Sequence, residues 1–230
     1  MTTFLLDLAT LSIIIFCGWR GYRNGLIRGV FGVVALIVAL IIANIAAAAY
    51  SDEVTGALKP FVGGIVDSTL SDIIENEDIE FEDVEYKNDT EEFKMAYTVL
   101  RQIGLPKSAA ITIAERTAGD YLGGLITELI SDKLSSVLSF VALFGIAFLL
   151  LAIIFSVIGN LINFVFSLPG LKLVDIIAGV AFGLIKGFLI VLTLATIIRY
   201  FGLLALSTLE ETTVLNYFVN HNLIANMLNI

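Results

Sequence analysis

Long apolar runs separated by short polar interruptions dominate this chain, and four of them stand out. The first extends from Phe4 to Trp19, broken by Asp7, with Met1–Thr3 available to lengthen it. The second, Gly29 to Tyr50, carries no charge and ends in the small residues Ala46–Ala49. The third, Val137 to Phe166, lies in a stretch without charge from Leu134 to Leu171. The fourth runs from Asp175 to about Leu206 and contains Lys186 and Arg199. About 20 apolar residues cross a bilayer as a helix, so each run predicts a transmembrane helix, the third with surplus to tilt or project.

Between the second and third runs the pattern changes. Ser51–Ile74 has helical apolar spacing, which Pro60 and Gly63-Gly64 interrupt. Glu75 to Asp89 is dominated by acid. Thr90, then Phe93, Ala96, Tyr97 and Leu100, predicts an N-capped helix ending near Gly104. Leu105-Pro106 opens another, carried by Ile113, Leu122, Ile126 and Leu129 toward the membrane, with Gly123-Gly124 as a bend. In the tail, Thr208 and Glu211 stand at capping-box spacing, and Leu215, Phe218, Val219 and Leu223 recur at helical spacing. This predicts an amphipathic helix on the membrane surface or packed on the insert. The whole reads as an all-α polytopic membrane protein with four transmembrane helices. Its parts are a hairpin (1–50), an acidic, mainly helical extracytoplasmic insert (51–136), a second hairpin (137–206) and an amphipathic C-terminal tail (207–230).

Composition agrees. The chain is 58% hydrophobic, against about 45–50% in soluble domains. The net charge of −9 is uneven: Tyr50–Leu134 holds 18 acidic and 7 basic residues, the rest 4 and 6. No basic patch suits nucleic acid. The single cysteine, Cys17, excludes an internal disulfide, and the lone His221 reads as structural. The acidic run lacks the glycine of a calcium loop, so it reads as solvated. No G-x-S-x-G occurs, and no catalytic constellation, metal site or cofactor is expected.

Two segments carry candidate function. The basic turn holds Arg20, Gly21, Arg23, Gly25 and Arg28. Short basic loops stay cytoplasmic, and such clusters also bind anionic headgroups. With Lys172 weakly marking the second turn, both termini and the insert are expected outside. The other segment is a stripe. At 100° per residue Asp175, Gly179, Phe182 and Lys186 share one helix face, beside Gly179, Gly183 and Gly187 spaced four apart. It suits close helix packing, with the charges at an interface, or a polar path that includes Thr193. Only 12 residues separate Lys186 from Arg199, too few to span, so one lies at bilayer depth or snorkels. Lys186 is thus either at mid-bilayer or at the cytoplasmic interface. Gly25-Leu26-Ile27-Arg28-Gly29 is echoed by Gly183-Leu184-Ile185-Lys186-Gly187, which would fit two parallel two-helix repeats. Asp7 has two readings, an interface residue or a bundle residue with a cationic partner.

At these residues the chain resembles the bacterial CvpA family, the colicin V production protein family. Arg20-Gly21-Tyr22-Arg23-Asn24-Gly25 carries one part of the likeness. The other is Gly170-Leu171 through Asp175, Gly179, Phe182-Gly183 and Lys186-Gly187. The resemblance implies a multi-pass bacterial inner-membrane protein linked to colicin V production and envelope homeostasis. The expected function is therefore a non-enzymatic membrane protein supporting peptide toxin production or export. Its expected partners are the lipid bilayer, a membrane or envelope protein and further copies of itself as a homo-oligomer. The alternative is a small oligomeric channel lined by Asp175, Lys186 and Thr193.

Overall fold

The structure is a computed structural model that describes residues 2–75, 90–121, 123, 125–161 and 172–228. Among these residues it contains eight helices and no strand. The acidic run 76–89, residues 162–171, Leu122 and Gly124 lie outside the described residues.

The first helix, α1, spans Thr2–Glu75 and is interrupted at Gly25, whose φ of 73° and ψ of −178° are not helical. Glycine takes this conformation without steric cost. Contacts with α5 (Lys172–Phe201) show that the chain reverses there. On the first arm, 2–24, Ile14 lies beside Gly187 and Gly21 beside Gly179, so this arm is antiparallel to α5. On the second arm, 26–75, Gly29 meets Phe182 and Gly32 meets Lys186, so this arm runs parallel to it. The helix α4, Ile126–Leu161, returns along the second arm, with Gly159 against Phe31 at one end and Gly63 facing Ser131 at the other. Four rods thus lie side by side. Helices α1, α4 and α5 are each long and apolar enough to cross a membrane.

The second arm does not stop where its apolar run ends. It continues through Tyr50 and Ser51 to Glu75, and Pro60 and Gly63-Gly64 do not break it. This corrects the expected interruption. Proline costs a helix its hydrogen bond to the residue four before it, here Gly56, whose surroundings are open. Packing beyond it holds the helix: Val62, Val66 and Ile73 are buried in the insert core. That core joins α2 (Glu91–Ile103), α3 (Lys107–Gly119), the start of α4, Tyr200 of α5 and Ala225 of the tail. Thr90 caps α2 as expected, accepting the Phe93 N–H at 3.3 Å. The helix after Pro106 does not run on to the membrane. It ends at Gly119, and α4 begins only at Ile126, after Gly123 with φ 92°. The turn is tied by an ion pair between Lys133 and Asp120.

The tail forms three short helices, α6 (Leu206–Glu210), α7 (Val214–Asn220) and α8 (Leu223–Leu228). It is no single surface helix. Leu209, Leu215, Phe218, Val219 and Ile224 are buried with Leu36, Ala39, Ala43, Val191 and Leu192 of the bundle. Thr208 lies inside α6 rather than at its start, where Ala205 stands without a side-chain cap, so the capping box does not form. Two polar side chains dock the tail. Asp7 accepts the N–H groups of Thr213, Val214 and Leu215 at 2.9–3.0 Å. Asn222, fully buried, donates to the Leu192 carbonyl at 2.9 Å and accepts from Ile224 and Ala225. Asp7 therefore meets a helix N-terminus, not a cation. Glu210 pairs with Arg101 of α2 at 2.8 Å, which brings the N-terminal arm, the tail and the insert to one end of the bundle.

Candidate functional site

The opposite end holds both sequence segments singled out for function, and they are packed against each other. The glycines of α5 meet a second glycine strip on the first arm of α1: Gly18, Gly21 and Gly25. A Cβ added at Gly179 would stand 2.6 Å from the Gly21 carbonyl oxygen, and one at Gly21 would overlap the Gly179 carbonyl. At Gly183 it would overlap the Cys17 carbonyl and stand 3.0 Å from the Gly21 Cα; at Gly187, 2.9 Å from the Ile14 Cα. Backbone meets backbone along three turns, the approach that small residues permit in membranes. Phe182 fills the next layer, beside Gly29 of the second arm. The partner strip was readable as Gly18, Gly21, Gly25 and Gly29 at spacings of three and four, but it is masked by the arginines between.

Asp175 closes the interface. Its carboxylate lies over Gly25, where a Cβ would come within 2.5 Å of Oδ2. Oδ1 accepts the Leu26 N–H at 2.8 Å. Leu26 is the first residue of the second arm, so Asp175 supplies from another helix the cap that its own chain neighbours lack. The negative charge also complements that arm's positive N-terminal dipole.

Lys186 takes a different direction. It is half-buried beside Gly32, its Nζ 3.6 Å from where a Cβ of that glycine would be. It lines a cleft with Arg20, Asn24 and Arg28 of α1 and Ser156 of α4. Gly32 is one helical turn deeper than Arg28, about 6 Å. Gly25 sits at the bend with positive φ, whereas Gly183 is helical and deep in the glycine interface. The two echoing pentapeptides therefore differ in their local surroundings, while the two hairpins they belong to run parallel, the first arm with α4 and the second arm with α5. Arg23 points elsewhere, its guanidinium 5.5 Å above the Trp19 ring. Thr193 is fully buried and donates to the Leu189 carbonyl at 2.9 Å. Asp175, Lys186 and Thr193 thus face a helix N-terminus, a cleft and a packed core respectively.

Arg199 is the other charge of the fourth run. It is 3% exposed, under α3, with Nη2 3.5 Å from the Thr112 hydroxyl and its guanidinium 5.2 Å from the Tyr200 ring. It belongs to the insert junction rather than to the lipid surface. His221 stacks on Tyr217 at 4.7 Å. Among the described residues, no three His, Cys, Asp or Glu side chains gather as a metal site would require.

The family model described as colicin V production protein matches residues 6–77 and 109–222, well over half of the chain. Both matched blocks contain one partner of the glycine interface. No match was found among the curated proteins or among the solved structures. The long apolar helices and this match identify a multi-pass membrane protein of the CvpA type. The chain belongs to the colicin V production protein family.

Proposed function

We propose that this protein is a non-enzymatic accessory of the bacterial inner membrane that supports peptide toxin production or export and envelope upkeep. In this reading its four rods cross the bilayer, and the basic bend faces the cytoplasm. The termini and the insert lie outside. The observation that carries it is the shared core of the insert. Val66 of the second arm, Tyr97 of α2, Ile113 of α3, Val141 of α4 and Tyr200 of α5 are all fully or almost fully buried in one cluster. The second arm is 50 residues of helix, about 75 Å, whereas the hydrocarbon core is about 30 Å. Such a rod suits a protein that holds a binding surface rigidly clear of the membrane. Family membership supplies the link to toxin production. The channel alternative needs Asp175, Lys186 and Thr193 on one path, and their separate surroundings favour the accessory reading.

Photo-crosslinkers at the exposed positions Gln102 and Glu115 of the insert test this in cells. Adducts with a second envelope protein are expected. Adducts only between copies of this chain would overturn the accessory reading. Maleimide labelling of a cysteine at Glu91, in a Cys17→Ala background, tests orientation: labelling by an impermeant reagent from outside is expected, and labelling only after lysis would reverse it.

A further inference from the structure

The membrane body has a charge imbalance that its own residues do not resolve. Over 1–51 and 134–209 the sequence supplies two carboxylates, Asp7 and Asp175, against Arg20, Arg23, Arg28, Lys172, Lys186 and Arg199. Both carboxylates are engaged with backbone N–H groups of helix N-termini. Arg20, Arg28 and Lys186 converge on the cleft described above, which has two lobes of about 80 and 320 Å³ that share these three side chains with Asn24 and Ser156. Among the described residues no carboxylate lines either lobe. Residues 160–171, which adjoin the end of α4, contain no acid. The acidic run 76–89 is tethered at Glu75, 47 residues of helix beyond Arg28. That is about 70 Å away, and 14 extended residues reach at most about 50 Å.

Like charges around one cleft repel one another, and the half-buried Lys186 loses solvation without gaining a partner, whereas Arg20 and Arg28 stand at exposed positions. An anion in the cleft removes both penalties. We propose that this cleft binds a phosphate oxyanion. Two guanidinium groups offer forked donors to phosphate oxygens, Lys186 adds a point charge from the opposite wall, and Asn24 and Ser156 offer neutral donors at the rim. Phe16 and Phe31 flank the lobes and suit the acyl chains of a phospholipid, but a headgroup phosphodiester and free phosphate present the same oxygens. The inference does not depend on the accessory role, since it concerns the end of the bundle remote from the insert.

The test uses the full chain, delipidated in a neutral detergent. Trp19, the only tryptophan, lines a neighbouring opening with Arg20 and Arg28 and reports binding by fluorescence. The protein is titrated with phosphatidylglycerol, with diacylglycerol and with inorganic phosphate. Saturable binding of phosphatidylglycerol but not diacylglycerol is expected, weakened about tenfold or more in Arg20→Gln/Arg28→Gln and in Lys186→Met. The exposed insert variant Lys107→Gln should bind as the unaltered protein does. Competition by inorganic phosphate at submillimolar levels assigns a soluble anion; failure to compete assigns the lipid. Equal affinity in the cleft variants overturns the proposal. Should those variants not fold, the unaltered chain still decides: equal binding of diacylglycerol and phosphatidylglycerol, with no competition by phosphate, also overturns it.

Discussion

Asp175 holds the backbone N–H of Leu26 at 2.8 Å across 149 residues of sequence. The bend at Gly25 and the start of α5 are therefore one structural unit. If the carboxylate acts as a cap, an amide oxygen should largely replace it. Asp175→Ala is expected to cost about 1–3 kcal/mol, the range for losing a charge-assisted hydrogen bond to a part-buried N–H. Asp175→Asn should cost clearly less. Thermal unfolding of the two variants in detergent separates the readings, and equal losses would mean that charge, not capping, matters.

The glycine interface makes a prediction by position. Gly183→Ala places a methyl group against the Cys17 carbonyl and the Gly21 backbone, neither of which yields as a side chain would. A loss of about 1–3 kcal/mol is expected, the usual scale of overpacking. Gly56→Ala, on α1 and with nothing within 4 Å, should be neutral or stabilising by up to about 1 kcal/mol. Denaturant-induced loss of helicity for the two variants checks the contrast; similar effects at both sites would remove the case for close backbone packing.

Much of this was legible in the chain because membranes impose a simple code. Uncharged runs such as Gly29–Tyr50 announce helices, and Thr90 announced the start of α2. The face of Asp175, Gly179, Phe182 and Lys186 followed from helical period alone. What each residue meets did not. Capping from another helix uses backbone N–H groups, which are the same at every residue type, so nothing near Leu26 or Val214 names Asp175 or Asp7 as partner. The same holds for Pro60, where local propensity argues for a break and the burial of Val62 and Val66 overrides it. The pentapeptide echo is limited for a related reason: five matching residues do not encode whether the glycine at their head lies at a bend or inside an interface.

The docked tail yields a prediction about local opening. Asp7 and Asn222 fasten it at two points, and neither belongs to the tail's apolar pattern. Asp7→Ala leaves three N–H groups at the start of α7, those of Thr213, Val214 and Leu215, without their acceptor and should cost about 1–2 kcal/mol. Asn222→Ala removes three buried hydrogen bonds and should cost about 1–3 kcal/mol. Limited proteolysis near Glu211 is expected to quicken in both while the α2–α3 region stays protected. Cleavage that spreads at once to the insert would show instead that tail and insert open together.

At the far end of the second arm, Lys59 pairs with the Asp132 carboxylate at 2.6 Å, with Glu128 at 3.9 Å, clipping α1 to α4. The hydrogen bond to Asp132 is the main cause that holds the Lys59 ammonium above its ordinary range; slight desolvation opposes it, and the charges of Asp132 and Glu128 add to it. A cation whose folded pKa is raised contributes stability in full below its unfolded value of about 10.4 and loses it as pH rises through the folded one. The clip should therefore be indifferent to pH through the neutral range and fail only in alkali. Its site is exposed, so the effect is small and weakened by salt. The difference in melting temperature between the unaltered protein and Lys59→Met is expected to be constant from about pH 7 to 9 and to vanish above the lysine range. A difference that persists into strong alkali would mean that the lysine stem, packed along the helix, does the stabilising, and that the ion pair only accompanies it.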